Sequence, residues 1–222
     1  MKREITKTAD GSTTIYIPEM DENYHSHHGA IQEAKHVFLK FGIETLKQEE
    51  ITVFEMGFGT GLNALLTLDF ALNTEKKVNY IGIEAYPVDV EMIDELNYVE
   101  SIDLDLWMAF DQMHNCPWNE KMDLFENFCL TKIHKKIEDY EPESGTVDII
   151  YFDAFGPRAQ GDMWELPVLE KMAQMIKPGG ILVTYCAQGQ FKRHLKSLGF
   201  TIERLPGPPG KREMTRATKI AE

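Results

Sequence analysis

Residues 51–63 read ITVFEMGFGTGLN, an apolar run that passes into glycines at alternate positions, Gly57, Gly59 and Gly61. The run 51–56 fits a strand, and the apolar spacing over 62–72 fits a helix. Glycine between them lets the backbone pass close to a ligand and leaves the amino terminus of the helix open to it. The next strand, 78–83, ends at Glu84, where a carboxylate can accept hydrogen bonds from both hydroxyls of a ribose. These segments make one βαβ unit, the building block of a parallel sheet. The glycine spacing differs from the GxGxxG of dinucleotide-binding folds, and an acid, Glu55, precedes it.

A second junction of strand and loop lies at 147–164, VDIIYFDAFGPRAQGDMW. VDIIYF fits a strand buried on both faces, as the middle of a parallel sheet requires. It delivers Asp153 at its carboxyl end, where open α/β sheets bind ligands. A carboxylate there, kept ionised by a cationic ligand, can orient an amine; the other reading is a cap for the following turn. Phe155 and Trp164 either flank a planar base or pack a core or lid.

Outward from these junctions, Asp10-Gly11 marks a hairpin over 5–17. Apolar spacing predicts helices over 29–47, 87–98 and 103–114, and a third strand over 125–133. The segment 160–176 reads as loop then helix. Lys177-Pro178-Gly179-Gly180 stops that helix ahead of a strand over 181–186. A helix over 190–198 leads to two strands, 200–205 and 213–218, paired across the loop PGPPGKR. Strands alternating with helices predict an α/β fold with a doubly wound sheet and an antiparallel carboxyl-terminal strand. The 222 residues suit one structural domain, with the hairpin and helix of 1–50 packed on a core of 51–222 that ends in a basic hairpin.

Three cysteines, Cys116, Cys129 and Cys186, share no CxxC spacing, which disfavours a disulfide framework or a zinc site and suits a reducing compartment. The histidines of YHSHH (24–28) fit no zinc spacing and suit a loop edging a ligand pocket. Neither a leader pattern nor a membrane-length apolar run is present, so a soluble cytoplasmic protein with no membrane partner is expected. The net charge of −13 argues against a nucleic-acid partner. Yet residues 189–222 hold eight Lys or Arg against three Glu, a net +5 that leaves −18 on the rest. That asymmetry marks either an anionic partner at one end or a solvated helix face with a basic hairpin.

An ExGxGxG loop, an acid after the second strand and another after the fourth resemble the pattern of class I S-adenosylmethionine-dependent methyltransferases, whose fold is Rossmann-like. The segments YFDAFGPRAQGDMW, MIKPGGILVTYCAQGQFKRHLKSLGF and GPPGKREMTRA resemble more closely the methyltransferase half of the MnmC family. YHSHHGAIQEAKHVFL resembles its single-domain members. The resemblance implies methyl transfer from S-adenosylmethionine to the primary amine of 5-aminomethyl-2-thiouridine at the tRNA wobble position. It implies that Glu55, Gly57, Phe58, Gly59, Gly61 and Asn63 belong to the cofactor loop and Glu84 to the ribose. Asp153 would be the catalytic residue joining cofactor and amine. Trp164, Lys211 and Arg212 are the implied tRNA contacts, with Lys192 and Arg193 beside them; for Arg212 a salt bridge to Glu213 or to the acidic body is the other reading.

The chain departs from the family pattern in two places. Relatives carry a Gly-Asp pair after the third strand for the adenine, where this chain reads LTKIHKKIEDY (130–140), so no adenine contact is assigned. The flavin-dependent oxidase half is missing, which implies no flavin and an aminomethyl substrate made by other enzymes; from the cysteine and histidine spacings no metal is expected. Two further readings are an enzyme that transfers methyl or aminopropyl groups to a small amine, and a non-catalytic binding protein of the same fold.

Overall fold

The computed structural model of the chain describes residues 2–221. Its amino-terminal strands β1 (Glu4–Lys7), β2 (Thr13–Ile17) and β3 (Glu22–Asn23) form a small antiparallel sheet, followed by α1 (Ala30–Ala34). The core alternates β4 (Glu50–Met56), α2 (Leu62–Leu72) and β5 (Lys77–Glu84) with α3 (Val90–Ile93), α4 (Tyr98–Ile102) and α5 (Trp107–Asn115). It continues through β6 (Lys121–Phe125), β7 (Phe128–His134), β8 (Val147–Phe152), α6 (Leu166–Met175) and β9 (Ile176–Thr184). Finally come α7 (Gly189–Ser197), β10 (Phe200–Pro206) and β11 (Glu213–Lys219). The eight-stranded sheet has the order β10-β11-β9-β8-β4-β5-β7-β6. Its five central strands, from β9 to β7, are parallel, whereas β11 runs antiparallel to β9 and β6 antiparallel to β7.

Every residue of β8 is buried, and from Ile149 to Phe152 its side chains alternate between two cores. Ile149 and Tyr151 pack with α2, α4 and α5, while Ile150 and Phe152 pack with α6 and α7. That alternation is the physical content of a doubly wound sheet: period-two side chains meet helices on both faces. Each fully buried aliphatic or aromatic chain contributes about 1.5–3 kcal/mol. The amino-terminal segment belongs to the first core, where the Phe38 ring lies 5.0 Å from that of Tyr151.

Several boundaries differ from those the sequence predicts. The 5–17 hairpin is not a two-residue turn: residues 8–12 form a wider loop in which Asp10 Oδ1 accepts from Thr8 Oγ1 (2.6 Å) and Ser12 N (3.1 Å). The helix over 29–47 is only one turn of α-helix, then a π-helical stretch (Lys35–Lys40) and a 3-10 turn (Ile43–Thr45). The chain leaves the helix at Gly42, where any Cβ would crowd the Phe38 carbonyl and lie 3.2 Å from Ile149 Cδ1.

The helix over 87–98 is two short pieces, α3 and α4, broken before Asn97. That side chain is committed to the hairpin instead, accepting from Thr13 N (2.7 Å) and donating to Gly11 O (3.0 Å). The third strand begins at Phe128, and 121–125 is an additional antiparallel edge strand. Lys177–Gly180 does not precede the fifth parallel strand but bulges within it: pairing jumps from Val147↔Ile176 to Ile149↔Ile181. Gly179 takes a φ of 79° there, and a Cβ on Gly180 would lie 2.9 Å from Asp148 O.

Candidate functional site

The carboxyl ends of β4, β5, β7 and β8 open on a cavity of about 530 Å³, within the usual range for small-molecule sites. The glycine loop after β4 forms one wall. Gly57 N and Phe58 N both donate to Ile83 O, at 3.1 and 3.0 Å, which draws the loop over the end of β5. Gly57 has a φ of 89°, and a Cβ on it would lie 3.2 Å from Asp153 O, so glycine permits both the turn and the close passage of β8.

Glu84, at the end of β5, is held by the backbone on both oxygens. Gly59 N donates to Oε2 (3.0 Å) and Tyr86 N donates to Oε1 (2.8 Å). Each carboxylate oxygen retains acceptor capacity for a hydroxyl. On the opposite wall Asn63, in the first turn of α2 and 2% exposed, bridges two acids. Its Nδ2 donates to Glu55 Oε1 (2.9 Å) and to Asp153 Oδ2 (2.8 Å).

Burial dominates the electrostatics of this pair. Glu55, 1% exposed on β4, holds its proton well above the ordinary carboxylate range because of desolvation. Asp153 is pushed up to about 7 by burial and by the negative charge of Glu33, against the opposing pull of the Asn63 bond and of Lys211. Near neutral pH Asp153 therefore exchanges between acid and carboxylate, while burial favours the protonated form of Glu55 behind it. His25 also lines the cavity, and burial lowers it to about 4, which keeps the ring neutral.

The structure brings together Glu55, Gly57, Gly59, Asn63, Glu84 and Asp153 around one cavity, whereas Gly61, at the amino terminus of α2, does not line it and faces His114. It gives other residues different work. Phe58 lines the cavity, but it is 3% exposed and its ring packs into the core, 5.9 Å from His114 and 6.0 Å from Trp118. Trp164 does not reach the cavity at all. It is 3% exposed, its Nε1 donates to Phe155 O (2.8 Å), and its ring packs on Phe152 and Phe191. Phe155 does line the cavity, its ring 5.1 Å from that of Tyr24.

Among the described residues three of the eight cations of the basic carboxyl-terminal segment, Lys192, Lys211 and Arg216, are paired with acids. Lys211 is not a free phosphate ligand: its Nζ lies 2.6 Å from Glu33 Oε2 and 3.7 Å from the centroid of Tyr185. Lys192 is buried and paired with Glu213 (3.5 Å), and Arg216 pairs with Glu203 (2.9 Å). Arg193 is exposed and bound to Gln190 (2.6 Å). Arg212 is exposed and makes no salt bridge among the described residues, to Glu213 or any other acid.

Sequence reasoning missed Glu33, Tyr185 and the turn Lys135 to Glu138, which follows β7 and borders the cavity. The last was findable, since residues just past a parallel strand belong to the ligand crevice whatever their motif. Of the YHSHH loop, Tyr24 and His25 line the cavity, whereas His28 packs over Gly210. Among the described residues no group of three or more His, Cys, Asp or Glu is arranged to hold a metal, and no helix is long and apolar enough to cross a membrane.

Comparison with known proteins gives consistent matches. Residues 107–220 match the family described as S-adenosyl-L-methionine-dependent methyltransferase. A curated relative from Cupriavidus necator, named tRNA 5-methylaminomethyl-2-thiouridine biosynthesis bifunctional protein MnmC, is 29% identical over 91% of this chain and 32% of its own length. Its counterpart in Magnetococcus marinus is 30% identical over 91% of this chain and 32% of its own. The chain thus spans about a third of the curated relatives it matches. Among solved structures, MNMC2 from Aquifex aeolicus superimposes with a TM-score of 0.76 at 23% identity, covering 100% of this chain and 73% of that one. That likeness shows the fold, a Rossmann-like class I methyltransferase fold.

Proposed function

The chain belongs to the S-adenosyl-L-methionine-dependent methyltransferase family, and from that premise we propose that it methylates the primary amine of 5-aminomethyl-2-thiouridine at the wobble position of tRNA. The observation that carries the reading is the Asn63 bridge: one amide holds Asp153 at 2.8 Å and Glu55 at 2.9 Å beside the glycine loop. The residues fit the cofactor on their own chemistry. Glu84 is pinned by two backbone N–H groups with acceptor capacity left for ribose hydroxyls. The bonds of Gly57 N and Phe58 N to Ile83 O draw the glycine loop over the end of β5, and the Lys135 to Glu138 turn, which borders the cavity past β7, is the candidate to receive the purine. Bound S-adenosylmethionine supplies an electrophilic methyl on a positively charged sulfur.

The protein's own part is to orient the amine and manage its proton. Free aliphatic amines are protonated at neutral pH and have no lone pair to offer. Asp153, titrating near 7, accepts a hydrogen bond from the amine and can take its proton, leaving the nitrogen aligned for attack. Tyr24 and Phe155, edge to face at 5.1 Å, supply apolar walls suited to a planar base. Exposed Arg212 and Arg158 are candidates for tRNA phosphate. In this reading other enzymes make the aminomethyl group, no flavin or metal takes part, and the protein works in the cytoplasm. The test is methyl transfer from labelled S-adenosylmethionine to aminomethylated tRNA and to free small amines. The reading expects turnover on the tRNA; turnover confined to small amines contradicts it.

A further inference from the structure

Glu33 is a buried carboxylate that the methyl-transfer reading leaves without a task. It sits on α1, 7% exposed, where Ser26 N donates to its Oε1 (3.2 Å) and Lys211 Nζ contacts its Oε2 (2.6 Å). Lys211 comes from the loop between β10 and β11, 178 positions away, and lies 3.7 Å from the Tyr185 ring centroid. Tyr185 in turn donates from its hydroxyl to the carbonyl of Ala154 (2.8 Å), the residue after Asp153. Three separate elements thus converge behind the loop that carries Asp153. The Glu33 side chain is 9% exposed and that of Lys211 33% exposed, so the ammonium reaches a carboxylate otherwise largely shut off from water.

We propose that Lys211 is a positioning residue: clamped between Glu33 and Tyr185, it neutralises Glu33 and leaves Asp153 as the carboxylate free to handle the acceptor amine. The proposal rests on the methyltransferase reading for its function but not for its geometry. Around Asp153 the titratable or charged groups are Glu55 on β4, Tyr80 on β5, Glu33 on α1, Tyr98 on α4, Tyr185 after β9 and Lys211. Lys211 is the cation of that set. It favours the ionised form of Asp153, whereas Glu33 opposes it. Removing the lysine acts twice in one direction, by losing a positive charge and by baring a negative one.

Titration of Asp153 by NMR, with isotope-labelled aspartate carboxyls and Asp153→Asn to identify the signal, reads this without any substrate. Lys211→Met is expected to raise the midpoint by roughly one pH unit. Glu33→Gln is expected to lower it, and Glu33→Gln with Lys211→Met to return it toward wild type. Lys211→Arg should keep the wild-type midpoint. On aminomethylated tRNA, the acid limb of the kcat profile should move in the same order, with KM for S-adenosylmethionine unchanged. An unmoved midpoint in Lys211→Met, or a double variant no closer to wild type than the single, overturns the proposal. Ordered midpoints with no wild-type turnover on that tRNA uphold the coupling and remove the assigned substrate instead.

Discussion

Asn63 Nδ2 lies 2.8 Å from Asp153 Oδ2 and donates to it, while the same nitrogen donates to Glu55 Oε1 at 2.9 Å. One amide on α2 therefore holds the Asp153 carboxylate at the end of β8, the group proposed to handle the acceptor amine. Asn63→Ala strips both acids of their donor, at a cost of about 1–3 kcal/mol in stability. Because that bond holds Asp153 down, the variant's acid limb of kcat should shift to higher pH. Turnover measured at pH 7 and pH 9 checks this: the loss should be larger at pH 7.

Asp153 makes the fold less stable as it ionises. Its folded value of about 7 stands above the unfolded value of 3.8, so between these limits the native state binds more protons than the unfolded chain. Stability from this group is accordingly highest below the unfolded value and falls as pH rises toward 7. Asp153→Asn removes that cost. Its melting temperature should exceed that of wild type at pH 8, by about 2–4 °C for each ~1 kcal/mol recovered, with the gap closing by pH 4. Activity should be lost at both, and melting curves across this window are the check.

Glu84 holds the glycine loop and is the proposed ribose partner. Glu84→Ala loses charge-assisted hydrogen bonds worth about 1.5–3 kcal/mol each, so S-adenosylmethionine affinity should fall by at least about tenfold. Calorimetric titration measures it, and unchanged affinity would contradict the assignment.

Trp164 is a packing residue at 3% exposure. Trp164→Ala should destabilise the protein by about 3–5 kcal/mol. Trp164→Leu should fold and keep its KM for tRNA, which a role in stacking on the substrate base would not allow. Denaturant unfolding and tRNA kinetics on the two variants decide it.

The ligand side of the fold was legible because strand ends are fixed by short-range pattern. An apolar run, a glycine or acid at its end and a following helix placed Gly57, Glu84 and Asp153 correctly. Long-range packing was not legible. Trp164 lies in the same motif as Asp153, yet the 3-10 turn Gly161–Trp164 rotates it into the core. The basic tail read as an anion site, but one of its cations, Lys211, is met by an acid distant in sequence, Glu33. A close approach of backbone at Gly42 ended a helix whose local pattern continued, and at Lys177–Gly180 a strand runs through a segment whose local pattern reads as a break.

The central claim is methyl transfer at the wobble amine under the control of Asp153. Its most direct test is mass analysis of wobble nucleosides from aminomethylated tRNA incubated with S-adenosylmethionine and either the wild-type protein or Asp153→Asn. The account predicts one added methyl group on the 5-aminomethyl-2-thiouridine nucleoside with wild type and none with the variant. An unmodified wobble nucleoside with wild type, or equal methylation by both proteins, would contradict it.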